Sequence, residues 1–135
     1  MDTKEYAFVL EMEVRDYEID YQGIVNNANY LHYMEHTRHE FCRRAGLTFG
    51  EMHRHGIDPV LAKLEIEYRH PLHIGDSFVS CLNISRRGPK FCFHQDIYLK
   101  DGTPVIKALA TIACIENGCL TRGDVLAETF GDYIK

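Results

Sequence analysis

One long stretch, residues 29–45, carries apolar side chains at helical spacing: Tyr30, Leu31, Met34, Phe41, Cys42 and Ala45, with Arg38 and His39 breaking the stripe. Gly46 ends it, and a short second helix is expected over 48–55, closed by Gly56. The remainder reads mostly as strand. Residues 6–14 alternate loosely, Leu64, Ile66 and Tyr68 alternate with Lys63, Glu65 and Glu67, and further strands are expected over 78–84, 91–100 and 105–115, the last being the longest. Pro71, Gly75-Asp76, Arg87-Gly88-Pro89 and the hairpin signal Asp101-Gly102 separate them. Strands joined largely by tight turns make an antiparallel sheet, and a long apolar helix must bury its stripe on it. Ala108, Ala110, Thr111 and Ala113 are small enough to let a helix come close to the last strand. The tail, 123–134, is spaced as a short closing helix. With 135 residues, 45% of them apolar, the whole of 1–135 is read as a single domain.

Residues 15–28 are a long connection without periodicity, and loops of that length in a compact domain are commonly functional. It contains the run Asp20-Tyr21-Gln22-Gly23-Ile24-Val25-Asn26-Asn27-Ala28-Asn29-Tyr30, which sets a carboxylate ahead of a helix start. A helix's first N–H groups lack intrahelical partners and lie at the positive end of its dipole, so they stabilise an oxyanion. A carboxylate facing them is suited to act as nucleophile or general base on a carbonyl bound there. Gly23 permits a tight turn or a close ligand, and Asn26, Asn27 and Asn29 are all candidate caps. Asp16 and Glu18 lie close enough in sequence to support or replace Asp20.

The run resembles the signature of the 4-hydroxybenzoyl-CoA thioesterase branch of the hotdog-fold superfamily. The likeness continues through Leu31-His32-Tyr33-Met34-Glu35, Arg38 and Phe41 to Ala45-Gly46-Leu47, and the strand spacing agrees downstream. Ile24 departs from members that follow the glycine with His, which leaves the subfamily and its substrate open. The resemblance implies an α+β hotdog fold, a curved antiparallel sheet of about five strands wrapped around a long central helix. It implies hydrolysis of acyl-CoA thioesters, with Asp20 as the catalytic carboxylate, the Asn27 backbone N–H polarising the carbonyl, Gly23 shaping the loop, and Tyr30 and Tyr33 walling the acyl pocket. No metal or cofactor enters that chemistry, and the chains are expected to form a homodimer or homotetramer that shares its active sites.

Coenzyme A carries phosphates, and the net charge of −5 requires a local cationic patch to meet them; Arg86, Arg87 and Lys90, around Gly88, provide one in a turn. Acyl carrier protein would use the same patch differently, so both thioester carriers stay open, as do acyl length and an aryl tail. The acidic balance argues against a nucleic-acid partner. No apolar run is long enough to cross a bilayer, and Met1-Asp2-Thr3-Lys4-Glu5 is too polar for a signal peptide, which points to the cytoplasm.

Other motifs compete. His32-Tyr33-Met34-Glu35-His36 spells H-x-x-E-H, a zinc signature, with His39 a turn further on; solvated or interface histidines are the simpler reading. Glu35 is placed to orient water or substrate, or to pair with Arg38 or His39. Cys42, Cys81, Cys92, Cys114 and Cys119 are odd in number and form no C-x-x-C pair, so buried free thiols are expected rather than a disulfide scaffold. From other classes, a non-catalytic acyl-CoA-binding module keeping the pocket, or a hydratase of another hotdog lineage, remain as alternatives; the intact Asp20, Gly23 and helix cap oppose the first and the lack of the His motif opposes the second.

Overall fold

The computed structural model describes residues 5–134; residues 1–4, on which the leader reading rests in part, and Lys135 lie outside the described residues. In chain order the elements are β1 (Phe8–Glu13), α1 (Asn27–Arg44), α2 (Phe49–Arg54), β2 (Ile57–Tyr68), β3 (Ser77–Arg87), β4 (Lys90–Leu99), β5 (Pro104–Glu116), β6 (Cys119–Thr121) and α3 (Asp124–Phe130). All strand pairs are antiparallel, in the order β1-β3-β4-β5-β2, with the short β6 also paired to β5. α1 packs its apolar stripe on one face of this curled sheet. This is the hotdog arrangement.

Two core clusters divide the length of α1. Around its start, Tyr30, Tyr33 and Met34 pack with Val25, Leu72, Phe78, Ile97 and Ile106. Around its second half, Phe41 and Cys42 pack with Phe91, Phe93, Ala110, Leu126 and Phe130. Ala108 and Ala110 are the small residues that face the clusters; Thr111 and Ala113 fall on the opposite face of β5 by the two-residue alternation. Polar groups beneath the helix are satisfied. Arg38 donates from a guanidinium nitrogen to Gln95 Oε1 at 2.9 Å, Gln95 Nε2 donates to the Met34 carbonyl at 3.0 Å, and the Thr37 and Ser80 hydroxyls lie 2.7 Å apart.

Two elements differ from the sequence expectation. β2 starts at Ile57, well before the alternating Lys63–Tyr68 segment, because its register shifts between Leu61 and Lys63. That bulge reverses the phase, so the pattern on either side of it does not join into one alternation. Pro59 is tolerated within β2 because β2 is an edge strand. β6 adds a strand beyond the expected five: Asn117-Gly118, with φ of 50° and 84°, makes the two-residue turn that asparagine and glycine favour.

Four cysteines are buried and Cys119 is exposed. Burial pushes the Cys42 and Cys81 thiols up to about 12. In the native state at pH 8 a thiol reagent is therefore expected to modify one cysteine per chain, Cys119, and all five only after denaturation; fast reaction of a second native thiol would contradict this packing.

Candidate active site

Residues 15–26 fold back on themselves ahead of α1. Asp16–Glu18 forms one 3-10 turn, and the Arg15 N–H donates to Glu18 Oε1 at 2.8 Å. Ile19 then bridges Val25, and Ile24 bridges His73, which ties this loop to the connection between β2 and β3. Within it the Asp20 N–H donates to the Ile24 carbonyl at 2.9 Å, and the Gly23 N–H donates to the Asp20 carbonyl at 3.0 Å. Gly23 has φ +82°, and no heavy atom lies within 4 Å of where its Cβ would stand. The glycine therefore serves the backbone turn and not close packing.

Asp20 is half-buried, and its Oδ1 accepts from the Gln22 N–H at 2.8 Å. Among the described residues no cation pairs with it and Oδ2 takes no hydrogen bond. Of the three candidate caps, Asn26 takes the role: its side chain accepts from the Ala28 N–H at 2.9 Å. Asn27 is the first residue of α1 and is exposed, so its N–H belongs to the donors a helix leaves without an intrahelical partner. Asn29 instead donates from Nδ2 to the Glu18 carbonyl at 2.9 Å.

Glu18 joins loop to helix. Its carbonyl also accepts from the Asn26 N–H at 3.1 Å, and its carboxylate, in a residue only 6% exposed, accepts from the Tyr33 hydroxyl at 2.7 Å. It supports the loop that carries Asp20. Burial, reinforced by the Glu18 carboxylate, holds the Tyr33 hydroxyl protonated well above the usual phenol range. Burial likewise raises Tyr30, whose hydroxyl accepts from the Leu72 N–H at 3.0 Å. Both rings thus belong to the core under the loop. Tyr68, noticed in the sequence only as part of a strand, is 47% exposed and donates from its hydroxyl to the Asn27 carbonyl at 3.4 Å, with its ring edge-on to Tyr30.

A sequence profile of the thioesterase-like superfamily matches residues 14–121, which take in the Asp20 loop, α1 and the sheet from β2 to β6. The chain belongs to that superfamily. It is 36% identical over 110 residues to a chloroplastic acyl-acyl carrier protein thioesterase of Arabidopsis thaliana, a match that covers 80% of this chain and 58% of that protein. With the long-chain acyl-CoA thioesterase of Escherichia coli it shares 31% identity over 108 residues, 78% of this chain and 81% of that one. The crystal structure of a hypothetical protein from Aquifex aeolicus superposes with a TM-score of 0.82 at 33% identity, covering 90% of this chain and 98% of the other.

In this thioesterase-like chain the expected phosphate patch stands away from the Asp20 loop. Tyr68, beside the helix start, pairs with Ile106, whereas Lys90 pairs with Ala113, roughly 20 Å further along β5 at the rise of a strand. Arg86 is engaged: it donates to the Gly88 carbonyl at 3.1 Å, to the Arg122 carbonyl at 2.6 Å and to Asp124 at 2.9 Å, pinning the start of α3. Arg87 and Lys90 are exposed. On α1, His32, Glu35 and His36 are exposed, and Glu35 lies 3.8 Å from His39 Nε2. Burial lowers the pKa of the His39 imidazole. No helix among the described residues is long and apolar enough to cross a membrane.

Proposed function

We propose that the chain hydrolyses acyl-CoA thioesters to a free acid and coenzyme A. The observation that carries this reading is the Asp20 loop folded back on the start of α1, joined to it through Glu18, Asn26 and Asn29. In this scheme the thioester oxygen binds at the Asn27 N–H, where the helix dipole favours the charge that develops on it. Asp20 either attacks the carbonyl carbon, forming an anhydride that water opens, or takes a proton from the attacking water; both routes release the thiol and a carboxylic acid. Transfer of labelled oxygen from water into Asp20 in a single turnover would exclude the second route alone.

One feature favours a paired molecule. β2 is a free edge of twelve residues with Val60, Leu61 and Tyr68 each almost half exposed, a ready template for a second copy. Antiparallel pairing of two β2 strands about a two-fold axis brings the Lys90 end of one chain towards the Asp20 end of its partner, where Arg87 and Lys90 then meet the phosphates of the carrier. A second reading, thioesters of acyl carrier protein, is favoured by the Arabidopsis relatives, of which this chain matches 58% of the length.

The test is release of free thiol from short, medium, long and aryl acyl-CoAs. Cleavage of any of them by the native chain supports the reading. If none is cleaved while acyl carrier protein thioesters are, the second reading replaces it; if neither is cleaved, the site is a binding site and the proposed chemistry is wrong.

A further inference from the structure

Behind the second half of α1 lies a pocket of about 230 Å³, open on one side and lined by α1, α2, β2, β4, β5 and α3. Its floor consists of Phe91, Phe93 and Phe130 with Ile112 and Leu126, none of them more than 6% exposed. A concave space with an apolar floor and a few polar groups at its mouth has the make-up of a ligand pocket. The rim is of another kind: Glu35 and His39 stand on the helix side, with Arg38, 8% exposed, on the wall below them, and Val60 and Leu61, 45% and 46% exposed, on the strand side.

Two tracks lead from the Asp20 site to this mouth. Asn27, Leu31, Glu35, Arg38 and Cys42 follow one another at spacings of four, four, three and four residues, which makes one stripe along α1. Its first residue is the helix start and its last three line the cavity. Between them Leu31, apolar and 39% exposed, faces solvent. The second track is β2. Because of the bulge between Leu61 and Lys63, Pro59 and Leu61 share a face with Leu64, Ile66 and Tyr68, so the strand presents an apolar wall from above Asn27 to the rim.

We propose that this cavity holds the far end of an alkyl chain of the thioester, and that Ile112 with Leu126 and Phe130 of α3 sets how long that chain can be. The inference rests on the thioesterase reading above. The cavity has room for a chain end of several methylenes, each about the volume of a water molecule. The five floor residues carry no charge, and Arg38 on the wall is held by Gln95 at 2.9 Å, so beyond it the tail meets apolar side chains alone. Glu35 lies eight residues into α1, about 12 Å from its start, so an aryl acyl group held at Asn27 falls short of the mouth. Chain length is therefore the property the site reads.

The experiment compares butyryl-, octanoyl-, dodecanoyl-, hexadecanoyl- and benzoyl-CoA as substrates of the native chain and of two variants. Ile112→Phe fills the floor, and Leu61→Trp crowds the mouth; because Leu61 also lies on the β2 edge read above as the pairing edge, the oligomeric state of each variant is compared with that of the native chain. The native kcat/KM should rise with length at least to dodecanoyl and exceed that for benzoyl. In each folded variant the ratio of hexadecanoyl to butyryl, the longer chain being the one that reaches past the mouth to the floor, should fall about tenfold or more. An unchanged ratio in both overturns the tail pocket and leaves the thioesterase reading standing. If the native chain cleaves no acyl-CoA, that reading falls and calorimetric titration with dodecanoate decides the cavity by itself. Saturable binding that Leu61→Trp weakens supports it, and absence of binding to the native chain overturns it.

Discussion

Asp20→Asn is expected to lower kcat on the preferred acyl-CoA by about 100-fold or more, with little change in KM. The substitution is nearly isosteric. The Asn amide oxygen still accepts from the Gln22 N–H, which Asp20 holds at 2.8 Å, so the loop keeps its shape. What is lost is the charge on the one oxygen that takes no hydrogen bond among the described residues. An amide is neither the nucleophile nor the base that the proposed hydrolysis requires. Thermal unfolding should stay within about 2 °C of native, since Asp20 is half-buried and pairs with no cation there. A variant that keeps a third or more of native turnover would remove Asp20 from the chemistry, whatever its stability.

Glu18→Ala should act through the fold. The carboxylate accepts from the Tyr33 hydroxyl at 2.7 Å and from the Arg15 N–H at 2.8 Å, and its residue is 6% exposed. Deleting it strands the Tyr33 hydroxyl, in a residue 3% exposed, and removes the contact that holds the 3-10 turn against α1. The expected loss is about 2–3 kcal/mol, read as a Tm lower by roughly 10 °C in a chain of this size. Turnover should fall as well, because the Asp20 loop is joined to the helix start through the same residue. Glu18→Gln, which keeps an acceptor for Tyr33, should recover most of the stability. Equal melting of Glu18→Ala and the native chain would show that the buried contact contributes nothing.

The contrast between these two acids is instructive. They stand two residues apart in the same irregular segment, and as residue types both were eligible for catalysis. The offset to Gly23 and to the helix cap distinguished Asp20. Nothing local distinguished Glu18 as a support, because its partner Tyr33 is fifteen residues away and is brought to it only when α1 forms. Tyr30 and Tyr33 illustrate the same limit. Their place on the helix stripe was legible, but both hydroxyls turned out to be engaged by buried partners, while Tyr68 stands over the helix start from β2. Arg86 belonged to a recognisable basic turn, and what engages it, Arg122 and Asp124, lies more than thirty residues later.

By itself the sequence determined the number and kind of the main elements, the place of the long helix, and the loop, glycine and asparagine cap that precede it. Those signals arise from backbone preferences and side-chain periods that act over a few residues, so they survive without a partner. Tertiary structure alone decided which asparagine caps, that Arg38 turns inward to Gln95, that a bulge brings both halves of β2 to one face, and that six elements line a pocket behind α1. Each of these depends on residues far apart in the chain meeting at hydrogen-bond or van der Waals distance, and no local pattern encodes the depth of a space that exists only between packed elements.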